Sequence, residues 1–182
     1  MNETIRQQIV ISGVGGQGVL FVTRLLAEAA IEAGLPVFTS ETHGMAQRGG
    51  TVVSHLKVGP FASPLIRPGQ ADGLICLKAE NIVAHGPFLH PGGWTVVNSQ
   101  ADGPGHVDAD RIACDLDDAR AVNLLVLGFA LAAADEAGKP LLFCAPADVQ
   151  RVLQRRLAQR ESALKRSLAA LAAGASAAKV AI

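Results

Sequence analysis

The first residues in this chain that could do chemistry are three glycines spaced as G-x-G-x-x-G: Gly13, Gly15 and Gly18, with Gly16 and Gln17 inside the turn. Glycine permits a tight turn and lets backbone approach a phosphate, and a helix opening just beyond would aim its free N–H groups at negative charge. Such a turn serves a dinucleotide, another phosphate or anion, or nothing beyond the turn itself. A dinucleotide site also asks for an acidic residue about twenty positions on to hold a ribose. Glu41 is the one candidate near that place, slightly far along.

A second glycine-bearing stretch runs from Glu41 to Gly50 and ends Gln47-Arg48-Gly49-Gly50, setting a permanent cation and a side-chain amide beside two unrestricted backbone positions. Ligands of α/β sheets collect beyond the carboxyl ends of strands, so this loop should rise beside the first turn and could share an anion with it. On residue types alone, a surface loop with a solvated arginine is narrowly the better account. His43 and His55 could act as acid or base, but a lone histidine is more often a hydrogen-bonded structural residue. No Ser-His-Asp order, carboxylate pair or His-x-x-x-His spacing supports a catalytic role for them. Asp72-Gly73 and Asp102-Gly103-Pro104 read as turns, and neither begins a motif for magnesium and a diphosphate.

The elements that must position these loops can be read from pattern. Ile9-Val10-Ile11-Ser12 is a buried-type strand ending at glycine, and Val19 to Ala33 a helix stopped by Gly34 and Pro36. Arg24, Glu28 and Glu32 leave that helix one narrow wet stripe, so it needs burial on most sides. Val37–Ser40 completes a β-α-β unit, followed by strands at Thr51–Val58, Leu74–Leu77 and Trp94–Asn98. Ser99 to Ala113 reads as loop with one short strand at most. Helices are expected over Asn123–Ala137, from Pro146 through Arg160, and over Glu161–Ala172. The expected architecture is one α/β domain over residues 1–182, doubly wound, with a mostly parallel sheet, helices on both faces and extra helices at the C-terminus.

Composition narrows the function classes. The 182 residues are 49% hydrophobic and 18% charged, with sixteen basic and sixteen acidic side chains, a globular composition without a net field. Tyrosine is absent and aromatics total 4%, poor material for stacking on nucleic acid. No apolar run approaches a membrane span and no leader core precedes Gln8, so the expected location is the cytoplasm. Cys76, Cys114 and Cys144 are odd in number and widely spaced, which suits reduced thiols rather than a disulfide framework. They are also too few for an iron–sulfur cluster held by this chain alone.

Taken in order, Val14-Gly15-Gly16-Gln17-Gly18-Val19, Glu41-x-His43-Gly44-Met45-x-Gln47-Arg48-Gly49-Gly50, Ser63-Pro64-Leu65-Ile66, and Asn123 with Leu127-Gly128 resemble the gamma-type subunit of 2-oxoacid:ferredoxin oxidoreductases. The resemblance runs from about Ile9 to Leu171, and His43-Gly44-Met45 is most like the beta subunit of the indolepyruvate branch. It implies a Rossmann-like domain and a share in the coenzyme A-dependent oxidative decarboxylation of a 2-oxoacid to acyl-CoA, carbon dioxide and reduced ferredoxin. Thiamine diphosphate, magnesium and iron–sulfur clusters would sit in partner subunits, with coenzyme A a substrate. By the same resemblance Gly13, Gly15, Gly16, Gln17 and Gly18 shape one loop of the site and Gln47, Arg48, Gly49 and Gly50 the other, Arg48 meeting a phosphate or carboxylate. A free-standing NAD-dependent dehydrogenase and a non-catalytic nucleotide-binding module are the alternatives.

Overall fold

Ile9, Val10 and Ile11 are all fully buried, which three successive strand residues achieve only inside a sheet covered on both faces. They belong to β1 (Gln7–Val14), third of six strands in a computed structural model that describes residues 5–43 and 50–178. The others are β2 (Val37–His43), β3 (Thr51–Val58), β4 (Ala71–Cys76), β5 (Leu89–Asn98) and β6 (His106–Val107), in the spatial order β2-β3-β1-β4-β5-β6. From β1 onward through β4, β5 and β6 every pairing is parallel, whereas β3 runs antiparallel to both β1 and β2. The expected β-α-β unit is thus present through α1 (Val19–Glu32), with one change: β3 is inserted between its two strands.

The chain leaves β1 in one direction along the sheet and passes from β4 to β5 in the other. Right-handed crossovers in opposite directions must lie on opposite faces, and helices are found on both, though unequally. Ile9, Ile11, Leu56, Val58, Ile75 and Val96 pack against α1 and the later helices α3 (Ala109–Asp115), α4 (Val122–Ala132), α5 (Pro146–Arg156) and α6 (Glu161–Ala178). The second face, carrying Val10, Val53, Leu74, Cys76 and Val97, is covered among the described residues by Ile66 of the 59–70 loop and by α2 (Ile82–His85) with its flanking 3-10 turns. α4 is buried without interruption from Leu124 to Leu131, as a helix apolar all round must be. It crosses α6 where Gly128 and Gly174 face each other's backbones.

Several elements depart from the sequence expectation; Asp72-Gly73, expected as a turn, lies inside β4. The helix expected to reach Ala137 ends at Ala132, because the Asp135 carboxylate accepts from the N–H groups of Ala137 and Lys139 and so stabilises a turn instead. The presumed loop before Ala113 contains α3, whose Asp108 cap accepts from Arg111 N–H while Asn98 Oδ1 accepts from Ala109 N–H. α6 continues past Ala172 to Ala178, whereas α5 stops at Arg156 rather than Arg160.

Candidate functional site

The carboxyl ends of β1 and β4 meet where the winding direction reverses, the place where open α/β sheets bind ligands. Polar side chains tie these ends together. Gln17 Oε1 accepts from Val14 N–H at 2.8 Å and its Nε2 donates to Leu77 O at 3.2 Å, clamping the glycine turn to the end of β4. Asn81 Nδ2 donates to Gly13 O at 2.9 Å and to Ser12 Oγ at 3.1 Å. The Ser12 hydroxyl in turn meets His85 Nδ1 at 2.7 Å. Asn98 Nδ2 reaches Leu77 O and Asp110, extending the network to β5 and α3.

Gly18 caps α1 in the left-handed region, φ 85°, where a side chain would be strained and would meet the Asn123 amide. Gly15 N–H donates to Gly50 O at 2.9 Å, so the first turn and the far end of the second glycine stretch touch. The β1–β3 register produces this contact, since Val14 faces Thr51. Gln47, Arg48 and Gly49, the rest of that stretch, lie outside the described residues, as does the side chain of His43. Beside the junction opens a depression of about 390 Å³, lined by Gly15, Gly16, Gly18, Val52 and Arg24 among others.

Arg24 is the residue that sequence reasoning passed over. It reads there as part of the wet stripe of α1, yet its two companions are spoken for: Glu28 pairs with Arg155 and Arg156, and Glu32 with Arg155. Among the described residues Arg24 forms no ion pair, and it stands exposed at the depression. A signal existed in the spacing, because Arg24 lies under two helical turns after Gly18. The opposite holds for Gln17, whose side-chain polar atoms serve the protein's own backbone. Replacing Gln17 with Leu should leave Val14 N–H and Leu77 O without these partners and cost about 1–3 kcal/mol, read as a lower urea midpoint with unchanged slope.

Glu41 does not hold the position a ribose-binding acid needs. It pairs with Ser54, which pairs with Ile11, so it stands two strands from β1 and level with a residue two short of Gly13. His55 is buried on the second face, its Nδ1 accepting from Ile66 N–H, and plays no part at the glycine junction. Burial, then His85 and Lys57, lowers the His55 pKa, and burial lowers that of His85. Both histidines thus take protons less readily when folded. Their share of stability is complete above the ordinary value of 6.5 and declines as pH falls below it, because the unfolded chain gains protons first. The unfolding midpoint should therefore drop between pH 7 and pH 5.5, and His55→Asn should flatten that drop.

Burial raises the thiol of Cys76 to about 11 and that of Cys144 to about 12, so neither is poised as a thiolate. Among the described residues no group of three or more His, Cys, Asp or Glu is arranged to hold a metal ion. No described helix is long and apolar enough to cross a membrane.

Comparison with known proteins gives one family. The indolepyruvate oxidoreductase subunit IorB of Archaeoglobus fulgidus is 43% identical over 105 residues, 58% of this chain and 52% of that protein. IorB of Pyrococcus horikoshii is 35% identical over 100 residues, 54% of this chain and 50% of its own length. The match thus spans about half the length of these curated relatives. The fold is shared with the pyruvate oxidoreductase subunit PORC of Thermotoga maritima, with TM-score 0.75, 20% identity and coverage of 94% of this chain and 96% of that one. It is shared too with the gamma subunit of a keto/oxoacid ferredoxin oxidoreductase from Geobacter sulfurreducens, with TM-score 0.70, 23% identity and coverage of 96% and 99%. Residues 8–177 match the family described as pyruvate ferredoxin/flavodoxin oxidoreductase, and the chain belongs to that family.

Proposed function

We propose that residues 1–182 form a single gamma-type domain of a cytoplasmic 2-oxoacid:ferredoxin oxidoreductase. The enzyme's substrate on this reading is indolepyruvate or a related aryl or branched 2-oxoacid. The reaction joins its decarboxylated acyl group to coenzyme A, releases carbon dioxide and passes two electrons to ferredoxin. Thiamine diphosphate, magnesium and iron–sulfur clusters belong to the large partner subunit, and this chain is inactive alone. Its own part is to offer a wall of the coenzyme A and substrate side of the site. Gly13, Gly15, Gly16 and Gly18 form one loop of that wall, held by Gln17, and Gln47, Arg48, Gly49 and Gly50 form the other.

The observation that carries the reading is the contact between Gly15 and Gly50, which joins the two glycine stretches beside the exposed cation Arg24. Backbone N–H groups and a guanidinium suit the phosphates or carboxylate of such substrates. The names of the IorB relatives favour the indolepyruvate branch. The solved relative from Magnetococcus marinus, which shares the fold at 20% identity, carries 2-oxoglutarate, coenzyme A and succinyl-CoA.

The test is reconstitution. The purified chain should not reduce a viologen dye with indolepyruvate and coenzyme A. Co-expressed with a large chain bearing thiamine-type and ferredoxin-type motifs, it should co-elute and support coenzyme A-dependent dye reduction. Strong activity from this chain by itself, or separate elution of the two, would overturn the proposal.

A further inference from the structure

At the end of the sheet away from the glycine turn, two cations flank one ring and a third lies near them. The Arg6 guanidinium carbon lies 4.5 Å from the centre of the Phe61 ring and Lys57 Nζ lies 5.1 Å from it. Arg67 is close enough to join Arg6 in lowering the pKa of Lys57, behind burial as the main cause. Lys57 itself is only 8% exposed. None of the three pairs with a carboxylate among the described residues. Asp72 lies beyond β1 on β4, and its oxygens already serve Gln8 N–H and His90. In a chain with equal numbers of acidic and basic side chains, this is a local excess of positive charge.

Large apolar side chains stand exposed in the same corner. Phe38 is paired with Lys57 across the β2–β3 ladder, which puts both on the second face, and it is 40% exposed. Leu65, two residues before Arg67, is 54% exposed, and Ile5 beside Arg6 is 38% exposed. The long helices cover the other face, so this corner lies on the thinly covered side of the sheet. Arginines interleaved with aromatic and aliphatic side chains are the make-up of a protein–protein interface rather than of a solvated surface. A stacked guanidinium also keeps its donors free for a partner's carboxylates.

We infer that Ile5, Arg6, Phe38, Leu65 and Arg67, above the buried Lys57, form a docking surface for an acidic face of another polypeptide, one presenting carboxylates around an apolar spot. Within the function proposed above, on which the choice of partner rests, that polypeptide is the large subunit. Docking here leaves the glycine junction, about 20 Å away along β1, free to face the substrate.

The experiment compares binding of the large chain by the wild-type protein, by R6E/R67E, and by R160E/K165E on the helical side, at 50 and 300 mM salt. Arg6, Arg67, Arg160 and Lys165 are all exposed, so neither variant disturbs the core. Wild-type binding should weaken with salt. R6E/R67E should bind on the order of tenfold more weakly at 50 mM and lose most of the salt dependence, while R160E/K165E should match the wild type. Wild-type binding with R6E/R67E unchanged, or with R160E/K165E the weaker variant, overturns the docking surface alone. A wild-type chain that fails to bind the large chain overturns the functional reading and this inference with it.

Discussion

Gly128→Ala should destabilise the protein by about 3 kcal/mol, near the upper end for overpacking a core, with Gly174→Ala costing a similar amount. A Cβ on Gly128 would stand 2.1 Å from Leu171 O, and one on Gly174 would stand 2.0 Å from Leu125 O. These obstacles are backbone atoms of a facing helix, so no rotamer change relieves them and α4 and α6 must separate. Alanine ordinarily favours a helix over glycine by about 1 kcal/mol, so a loss here would isolate the packing cost. Urea unfolding of each variant measures it. A midpoint equal to or above the wild type would mean that the helices have slack at this crossing.

The second large effect concerns catalysis in the assembled enzyme. Arg48→Ala should raise the KM for coenzyme A or for the 2-oxoacid on the order of 10- to 100-fold, the worth of a hydrogen bond to a charged group, with a smaller change in kcat. Gly50, two residues on, is held against Gly15, so the stretch carrying Arg48 ends at the glycine junction where Arg24 already supplies one cation. Arg48→Lys should recover part of the loss, since an ammonium keeps the charge but not the two-pronged geometry. Unchanged kinetics in Arg48→Ala would make this arginine an ordinary surface residue.

What could be read from the sequence follows from the range of the interactions involved. The strand at Ile9–Ser12, the turn at Gly13–Gly18 and the helix from Val19 are specified by neighbouring residues, and they stand where the pattern puts them. The insertion of β3 between β1 and β2 depends on pairing residues more than forty positions apart, such as Gln7 with Val58, which no local periodicity encodes. That insertion is why Glu41, slightly far along by counting, is badly placed in space. Leu127-Gly128, part of the motif that carries the resemblance, has its glycine where the backbone of α6 leaves no room for a Cβ. Gln17 presents the same lesson at the site. Its place in the turn is legible, but only the position of Leu77 shows that its amide faces inward.

The hairpin of β2 and β3 has a consequence for how such a site could change. Seven successive pairs, from Val37 with Val58 to His43 with Val52, hold its two strands, and eight more bind β3 to β1. The frame is thus locked on both sides of positions 44–49, up to His43 in β2 and from Thr51 in β3. Doubling the length of such a connection costs only about 0.6 kcal/mol in closure entropy. On the function proposed above, the segment that carries Arg48 is an exchangeable cassette on a fixed chassis. If Arg48 meets the substrate as proposed, grafting the corresponding segment from a relative with another 2-oxoacid preference should alter selectivity while leaving the sheet and the helices as they are.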